Sequence, residues 1–484
     1  MITYHNLLHP NEKVNFKEAF MQGVGKGEGL FFLNPKEIPQ ISLEDLVQMK
    51  GRGYSDIASR TIFPYVEGTI DRKIFDGIIH SIYGGKGISP RIEHVTGNSH
   101  LQWLEGTTLA FKDFAAQFYG ATLDHFCRED DVFKAVITAT TGDTAPAIGA
   151  ALASCKRAAH FMFYIAGEPS KQQERQMTTL RGNNYALEFR HGDFNVIQDI
   201  ALQILKDKKF SQELFGTPNG VSSANSVNLG RLTPQIPFPF YAYSHLSTGN
   251  RPFVVSIPSG NFGDMTGTVL AKFMGLPIDK IVVGVNGNKI FPDFLSTGKY
   301  TVRDVVKSIS MSMNVKNPKN FPRLISLYGG HIEGTVLTRL PDLDRMRNDI
   351  VAYSVSDEQT RQTMEDFLHT YGKMLEMHGA AGWRALENYL RDNFGGKHAP
   401  WSFSYETANP GKFPDQITSI LGRLPEIPEI LKTQATLPER KYAISSEPIR
   451  NPDKTLDASE SMVNEVKGIM RQIIRADYPS LAKH

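Results

Sequence analysis

The sequence predicts an α/β fold in which parallel sheets are flanked by helices on both faces. Three observations carry that prediction. From about residue 133 onward, short apolar runs rich in Val, Ile and Phe alternate with segments of helical period, the pattern of strands buried on both sides. Polar loops close several of those runs, at the strand ends where open α/β sheets bind ligands. The chain has 484 residues, of which 40% are hydrophobic and 21% charged. That mixture excludes wholesale disorder, and the length suits about two to four domains with a large core.

Residues 1 to about 95 read as mostly helical with short loops. FKEAF, LEDLVQM and DRKIFDGIIHSIYG space their apolar residues by three and four, and Asp71 is placed to cap the last of them. GGKGISP then marks a break. FKAVITAT (133–140) reads as a buried strand, followed by a Gly loop and the helix-like AIGAALASCKRA. HFMFYIA (160–166) is a second strand, followed by the helix KQQERQMTTLRG. RPFVVSIPSG (251–260), KIVVGVN (280–286) and WSFSYETA (401–408) are further strands, and MTGTVLAKFMG and FPDQITSILG are helix-like. Residues 433–455 are polar and loop-like. Residues 456–476 put Met462, Val466, Ile469, Met470 and Ile473 on one face, an amphipathic helix expected to dock on the body.

Composition removes several function classes. Lys plus Arg is 53 and Asp plus Glu is 51, a balance that argues against a nucleic-acid binder. Cys127 and Cys155 are the only cysteines, which excludes a disulfide scaffold or a Cys-based zinc site and predicts buried free thiols in helices. No apolar run approaches the roughly 18 residues of a membrane span. The opening MITYHNLLHPNEKVNF lacks the form of a signal peptide. The expectation is a soluble, cytoplasmic protein without a membrane or nucleic-acid partner. GxxxxGK[ST], HExxH and GxSxG are absent, and the 14 histidines show no metal-site spacing.

Four loops remain as chemistry-bearing candidates. Ser259-Gly260-Asn261-Phe262-Gly263-Asp264 joins a strand to a helix; its glycines permit close backbone approach, and its N–H groups suit an anion. Its bland reading is a turn that needs Gly. Thr140-Thr141-Gly142-Asp143-Thr144 offers hydroxyls and N–H groups, with capping by Asp143 or Thr144 the better reading on its own. Lys112 stands among Leu109, Ala110, Phe111 and Phe114. If buried it would be a better amine nucleophile; taken alone it reads as a surface lysine with Asp113 a solvated neighbour. Thr407-Ala408-Asn409-Pro410 follows a strand and is either a heterocycle contact or a turn. A lysine together with a separate phosphate cradle on an α/β body is what pyridoxal 5'-phosphate requires.

Five motifs in order then resemble one family. Thr108–Phe114 reads TLAFKDF, as does the pyridoxal-lysine stretch of the threonine synthases. ITATTGDT (137–144), Asn225-Ser226-Val227-Asn228 with Arg231, PSGNFGD (258–264) and TANPGKF (407–413) resemble further family motifs. The resemblance, which runs from near residue 10 to about 425, implies a two-lobed fold-type II pyridoxal enzyme with a mostly helical N-terminal domain. The implied domains are 1–95, a catalytic region 96–430 with a smaller lobe at about 125–235, and a C-terminal loop and helix over 431–484. It implies a lyase that converts O-phospho-L-homoserine and water to L-threonine and phosphate, as monomer or homodimer. The alternative is a related lyase or dehydratase acting on another phosphorylated or hydroxylated amino acid. Carried over by residue, Lys112 takes the cofactor aldehyde and is the catalytic base. Gly260, Asn261, Phe262, Gly263 and Asp264 hold its phosphate end, and Thr407 faces the pyridine nitrogen. Thr141, Asp143, Thr144, Asn228 and Arg231 are the substrate candidates. Three positions depart from the family pattern: Glu105 and Asn409 each stand where it has His, and Ala145 where it has Gly. They bear on substrate choice rather than on the cofactor.

Overall fold

The computed structural model describes residues 1–246, 251–395 and 399–481, and the chain divides into two compact units.

The first unit comprises Met1–Phe20, Val24–Ala115 and Leu229–Glu426. Its main sheet has six strands in the order Ile350–Ser354, Ile278–Val285, Phe253–Pro258, Trp401–Glu406, Ser99–Trp103, Arg91–Thr96. All neighbours are parallel except the last pair, an antiparallel hairpin at the edge. The helix Met377–Phe394 lies close on this sheet because small residues let the backbones meet. A Cβ at Gly284 would stand 2.7 Å from the Ala381 carbonyl, and one at Gly382 would stand 2.9 Å from Pro258 Cδ. The Ser256 hydroxyl donates to the Gly382 carbonyl at 2.7 Å and fixes the register between helix and strand.

The N-terminal part of this unit differs from the helical expectation. The helices Phe16–Gln22, Leu43–Gln48 and Arg72–Tyr83 are present, and Asp71 caps the last by accepting from Lys73 and Ile74 N–H. A three-stranded antiparallel sheet also forms, with Tyr4–Asn6 between Lys13–Val14 and Phe31–Leu33. Strands of two or three residues are too short to show a period. The helix Tyr54–Val66 carries Pro64, a residue that reads as a stop; burial of Tyr54, Ile57, Ala58, Ile62 and Tyr65 outweighs it.

The second unit comprises Met21–Gly23, Ala116–Asn228 and Ile427–His484. Its sheet is wholly parallel, in the order Lys441–Ile444, Asn184–Phe189, Ala158–Ile165, Lys134–Ala139, Val221–Ser223. The C-terminal helix Glu460–Asp477 buries Met462, Val466, Met470 and Ile473 in the core that holds Phe161, Phe163, Leu187 and Ile197. The 433–455 stretch is not all loop. A helix over Glu429–Thr436 runs into it, and Lys441–Ile444 adds an edge strand, where the Lys441 ammonium pairs with Glu188 at 2.6 Å and Glu174 at 3.0 Å. Cys127 and Cys155 are buried free thiols, Cys127 in a helix and Cys155 past the end of Thr144–Leu152. No helix among the described residues is long and apolar enough to cross a membrane.

Candidate active site

The central strands of the first unit end in a cluster of buried polar groups. Phe253–Pro258 leads through Ser259 into the loop and the helix Gly263–Phe273. Gly260 has no room for a side chain, since a Cβ there would stand 2.7 Å from the Ser312 carbonyl. Phe262 takes the left-handed conformation at φ 61°, which for a bulky residue costs on the order of 1 kcal/mol and points to a site with a reason to hold it. Among the described residues, the N–H groups of Gly260, Asn261, Phe262 and Gly263 donate to no protein acceptor. Four successive donors at a helix N-terminus form a cradle for a phosphate group. Asp264 is buried behind them, accepting from Ser259 Oγ at 2.7 Å and Met265 N–H at 2.8 Å. Burial pushes its carboxyl up to about 6, while those hydrogen bonds and the Lys112 charge pull the other way.

The second leading motif surrounds Lys112. Lys112 opens the helix Lys112–Glu129, half-buried, with its ammonium 5.0 Å from the centre of the Phe111 ring. Three residues earlier Leu109 is also left-handed, at φ 63°. Asp113 is not a solvated neighbour. It is fully buried, accepts from Thr108 N–H, Thr108 Oγ and Ala110 N–H, and shapes the turn that presents Lys112. Gly106 makes this possible, because a Cβ there would overlap that of Asp113. The buried Lys412 ammonium donates to the Thr108 carbonyl at 2.9 Å.

Trp401–Glu406 ends at Thr407, which is tied to both sides. Its carbonyl accepts from Phe111 N–H at 2.8 Å, beside Lys112. Its hydroxyl donates to Glu376 Oε1 at 3.1 Å. Glu376 caps the helix Met377–Phe394 and also accepts from Gly379 N–H, His378 N–H and His378 Nδ1. The Glu376 N–H donates to Glu406 Oε1 at 2.8 Å. Burial first, then the charge of Glu376, pushes the Glu406 carboxyl well above the usual carboxylate range. Gly379 is required beside it, since a Cβ would overlap Glu406 Oε2.

Glu376, His378 and Glu406 were not among the residues singled out in the sequence. The available signal was the Glu-Met-His-Gly stretch at the head of an apolar helix, a carboxylate at the N-cap followed by an imidazole. The two His-replacing positions prove to be partners: Asn409 Nδ2 donates to Glu105 Oε2 at 3.1 Å, and burial pushes the Glu105 carboxyl up.

The remaining candidates are divided. Arg231 is buried in the first unit, whereas Thr141, Asp143, Thr144 and Asn228 belong to the second. The capping expectation for that loop is corrected. Thr140 Oγ1, not Asp143 or Thr144, accepts the loop N–H groups, from Gly142 at 3.0 Å and Thr144 at 3.2 Å. Asp143 instead accepts from Gln173 Nε2 at 2.9 Å. Gly142 is at φ 149° and faces Gln173, so the loop needs the glycine. Ala145, where the family pattern has Gly, is fully buried in a helix, and its methyl packs with Met162 and Tyr164.

Comparison with known proteins gives the class first. Residues 101–399 match the family model described as pyridoxal-phosphate dependent enzyme, and with the two sheets of this fold they define a fold-type II enzyme of that cofactor. Residues 4–83 match the model described as threonine synthase N terminus. Threonine synthase of Escherichia coli K12 is 32% identical over 435 residues, covering 90% of this chain and 94% of its own. The solved structure of PLP-bound threonine synthase from Brucella melitensis matches with a TM-score of 0.84 at 26% identity, over 98% of this chain and 100% of its own. That of the yeast enzyme matches with a TM-score of 0.83 at 26% identity, over 98% and 99%. The chain belongs to the threonine synthase family, and it is a pyridoxal phosphate-dependent lyase.

Proposed function

We propose that the protein converts O-phospho-L-homoserine and water to L-threonine and phosphate, with Lys112 as cofactor anchor and base. One observation carries this reading: the Phe111 N–H beside Lys112 donates to the Thr407 carbonyl at 2.8 Å, at the end of the strand that pairs in parallel with Phe253–Pro258, so the amine and the four open N–H groups of the loop gather at one end of the sheet. These groups fit pyridoxal phosphate, with the amine for its aldehyde, Gly260 to Gly263 for its phosphate and the Thr407 hydroxyl for its ring nitrogen. When bound, the cofactor supplies the electron sink for electrons released at the substrate Cα. Lys112 would take the Cα proton, pass it to the electron sink and so be free to take a Cβ proton, which lets the γ-phosphate leave. Protonation at Cγ and addition of water at Cβ complete L-threonine. Of the substrate candidates, Arg231 lies in the unit that carries Lys112, and its guanidinium is suited to the substrate phosphate. The protein acts in solution as monomer or homodimer, and in the cytoplasm.

The test is to mix purified, cofactor-loaded protein with O-phospho-L-homoserine and to identify the products by mass while assaying released phosphate. Equal amounts of threonine and phosphate are expected. A loaded enzyme that releases no phosphate overturns the reading.

A further inference from the structure

We infer that Asn320 and Arg323 are positioning residues of the phosphate cradle: Arg323 orients the Asn320 side chain, and Asn320 holds the Asn261 peptide so that the Phe262 N–H faces the cofactor's phosphate. The inference deepens the reading under Proposed function and rests on its placement of that phosphate at Gly260 to Gly263.

The argument begins with one peptide plane. The Asn261 carbonyl and the Phe262 N–H belong to the same planar trans unit and point to opposite sides of it. Whatever fixes the carbonyl therefore aims the N–H. Asn320 fixes it twice, donating to the Asn261 carbonyl from its own N–H at 3.1 Å and from Nδ2 at 3.2 Å. The Asn261 side chain is held by the same segment, its Oδ1 accepting from Lys319 N–H at 3.2 Å. The next residue is Phe262, left-handed at φ 61°. A strained residue persists where its surroundings over-determine it, and three hydrogen bonds on the residue before it do so. Packing of the Phe262 ring against Phe291 and Phe321, at centroid distances of 5.2 and 6.3 Å, adds to them.

The amide of Asn320 could sit either way round, with oxygen or nitrogen toward Asn261. Arg323 decides between them. A guanidinium only donates, and Arg323 Nη1 reaches the Asn320 amide at 2.8 Å. The atom that meets it must be Oδ1, which leaves the –NH₂ for the Asn261 carbonyl. Arg323 is fixed in turn. It is fully buried in the helix Phe321–Leu327, and its Nε and Nη2 both donate to the Phe31 carbonyl, at 3.1 and 3.0 Å. Phe31 opens a strand of the N-terminal sheet. Full burial of an arginine is rare and costly, more than packing alone would require. One chain of contacts thus runs from the N-terminal sheet through Arg323 and Asn320 to Asn261 in the cradle.

The test compares two probes by equilibrium titration of the full-length protein: pyridoxal phosphate, and pyridoxal, which has the same ring and aldehyde without the phosphate. The native protein is expected to favour pyridoxal phosphate. Asn320→Ala removes one bond to the Asn261 carbonyl and keeps the backbone one. It is expected to weaken pyridoxal phosphate about 10-fold, as for loss of one hydrogen bond, and to leave pyridoxal unchanged. Asn320→Asp keeps an oxygen toward Arg323 but loses the Nδ2 donor, and is expected to weaken pyridoxal phosphate at least as much. Arg323→Met is expected to follow them. An Asn320→Asp protein with native affinity shows that Asn320 serves Arg323 alone, and overturns the inference. An equal fall in both affinities, the mark of a structural role, also overturns it, as does an unchanged ratio. If Arg323→Met does not fold, the two Asn320 variants decide. A native protein that binds pyridoxal as tightly as pyridoxal phosphate shows that the cradle does not hold the phosphate, and the underlying placement fails first.

Discussion

The two units bury polar groups in opposite ways. At the middle of the second unit's sheet His160 lies between Asn184 at 2.9 Å and Thr138 at 3.0 Å, and burial pushes it down to about 4, so it is neutral. It is a closed set of neutral partners on the sheet face that carries Met162, Tyr164 and Ala186, opposite the face of Phe161, Phe163 and Leu187. At the strand ends of the first unit Asp113, Asp264, Glu376, Glu406 and Lys412 are all buried within a few residues of Lys112, Gly260 or Thr407 or bonded to them. The comparison teaches where each kind of burial is tolerated. A neutral network completes a core at little cost, whereas buried ionisable groups in this number are kept where chemistry requires them.

The sharpest way to break the comparison is at Lys112. Lys112→Ala is expected to lower kcat/KM by at least about 10³-fold, as for loss of a covalent and proton-transferring group, with a thermal midpoint close to the native one. Loss of activity with a large drop in midpoint would show a structural lysine instead. The converse substitution, Phe161→Ala in the second unit's core, is expected to cost about 3–5 kcal/mol in urea unfolding, with cofactor affinity of the folded fraction unchanged.

A third measurement separates the two regions by sign. His160 has its folded value at about 4, below the ordinary 6.5. Its contribution is present above pH 6.5 and is lost as pH falls toward 4, by about 3 kcal/mol. Asp264 is raised from 3.8 to about 6. Its contribution is full below pH 3.8 and is lost as pH rises through 6, again by about 3 kcal/mol. Urea midpoints of the cofactor-free protein from pH 8 to 4.5 should therefore show His160→Asn flattening the acid decline and Asp264→Asn stabilising above pH 6. The same slope in both variants and the native chain would remove the distinction. The smallest effect belongs to Glu105 and Asn409. Single changes to Ala and the double change should show a coupling of about 1 kcal/mol, read as KM for the phosphorylated substrate and not as cofactor affinity.

The sequence made local features legible and distant ones not. Strand, Gly loop and helix follow one another at residues 253–273, so the cradle could be read directly, and the TLAFKDF stretch marked Lys112. Glu376 and Glu406 could not be read this way, because each gains its meaning from a residue about 30 positions away, with no periodicity to announce it. The Thr140 cap was missed for a related reason. Asp143 occupies the position that usually caps, but Gln173 from another helix holds its carboxylate. The short N-terminal strands lie below the length at which alternation shows.

The hydrogen bond between Glu105 and Asn409 spans 304 positions of chain and bears on how this protein can have diverged. A lineage that exchanged one of the two before the other passed through a form with a half-buried carboxyl or amide left without its mate. Such a pair is expected to travel as a unit: either member transplanted alone into a relative should be handicapped, and the two carried together should not.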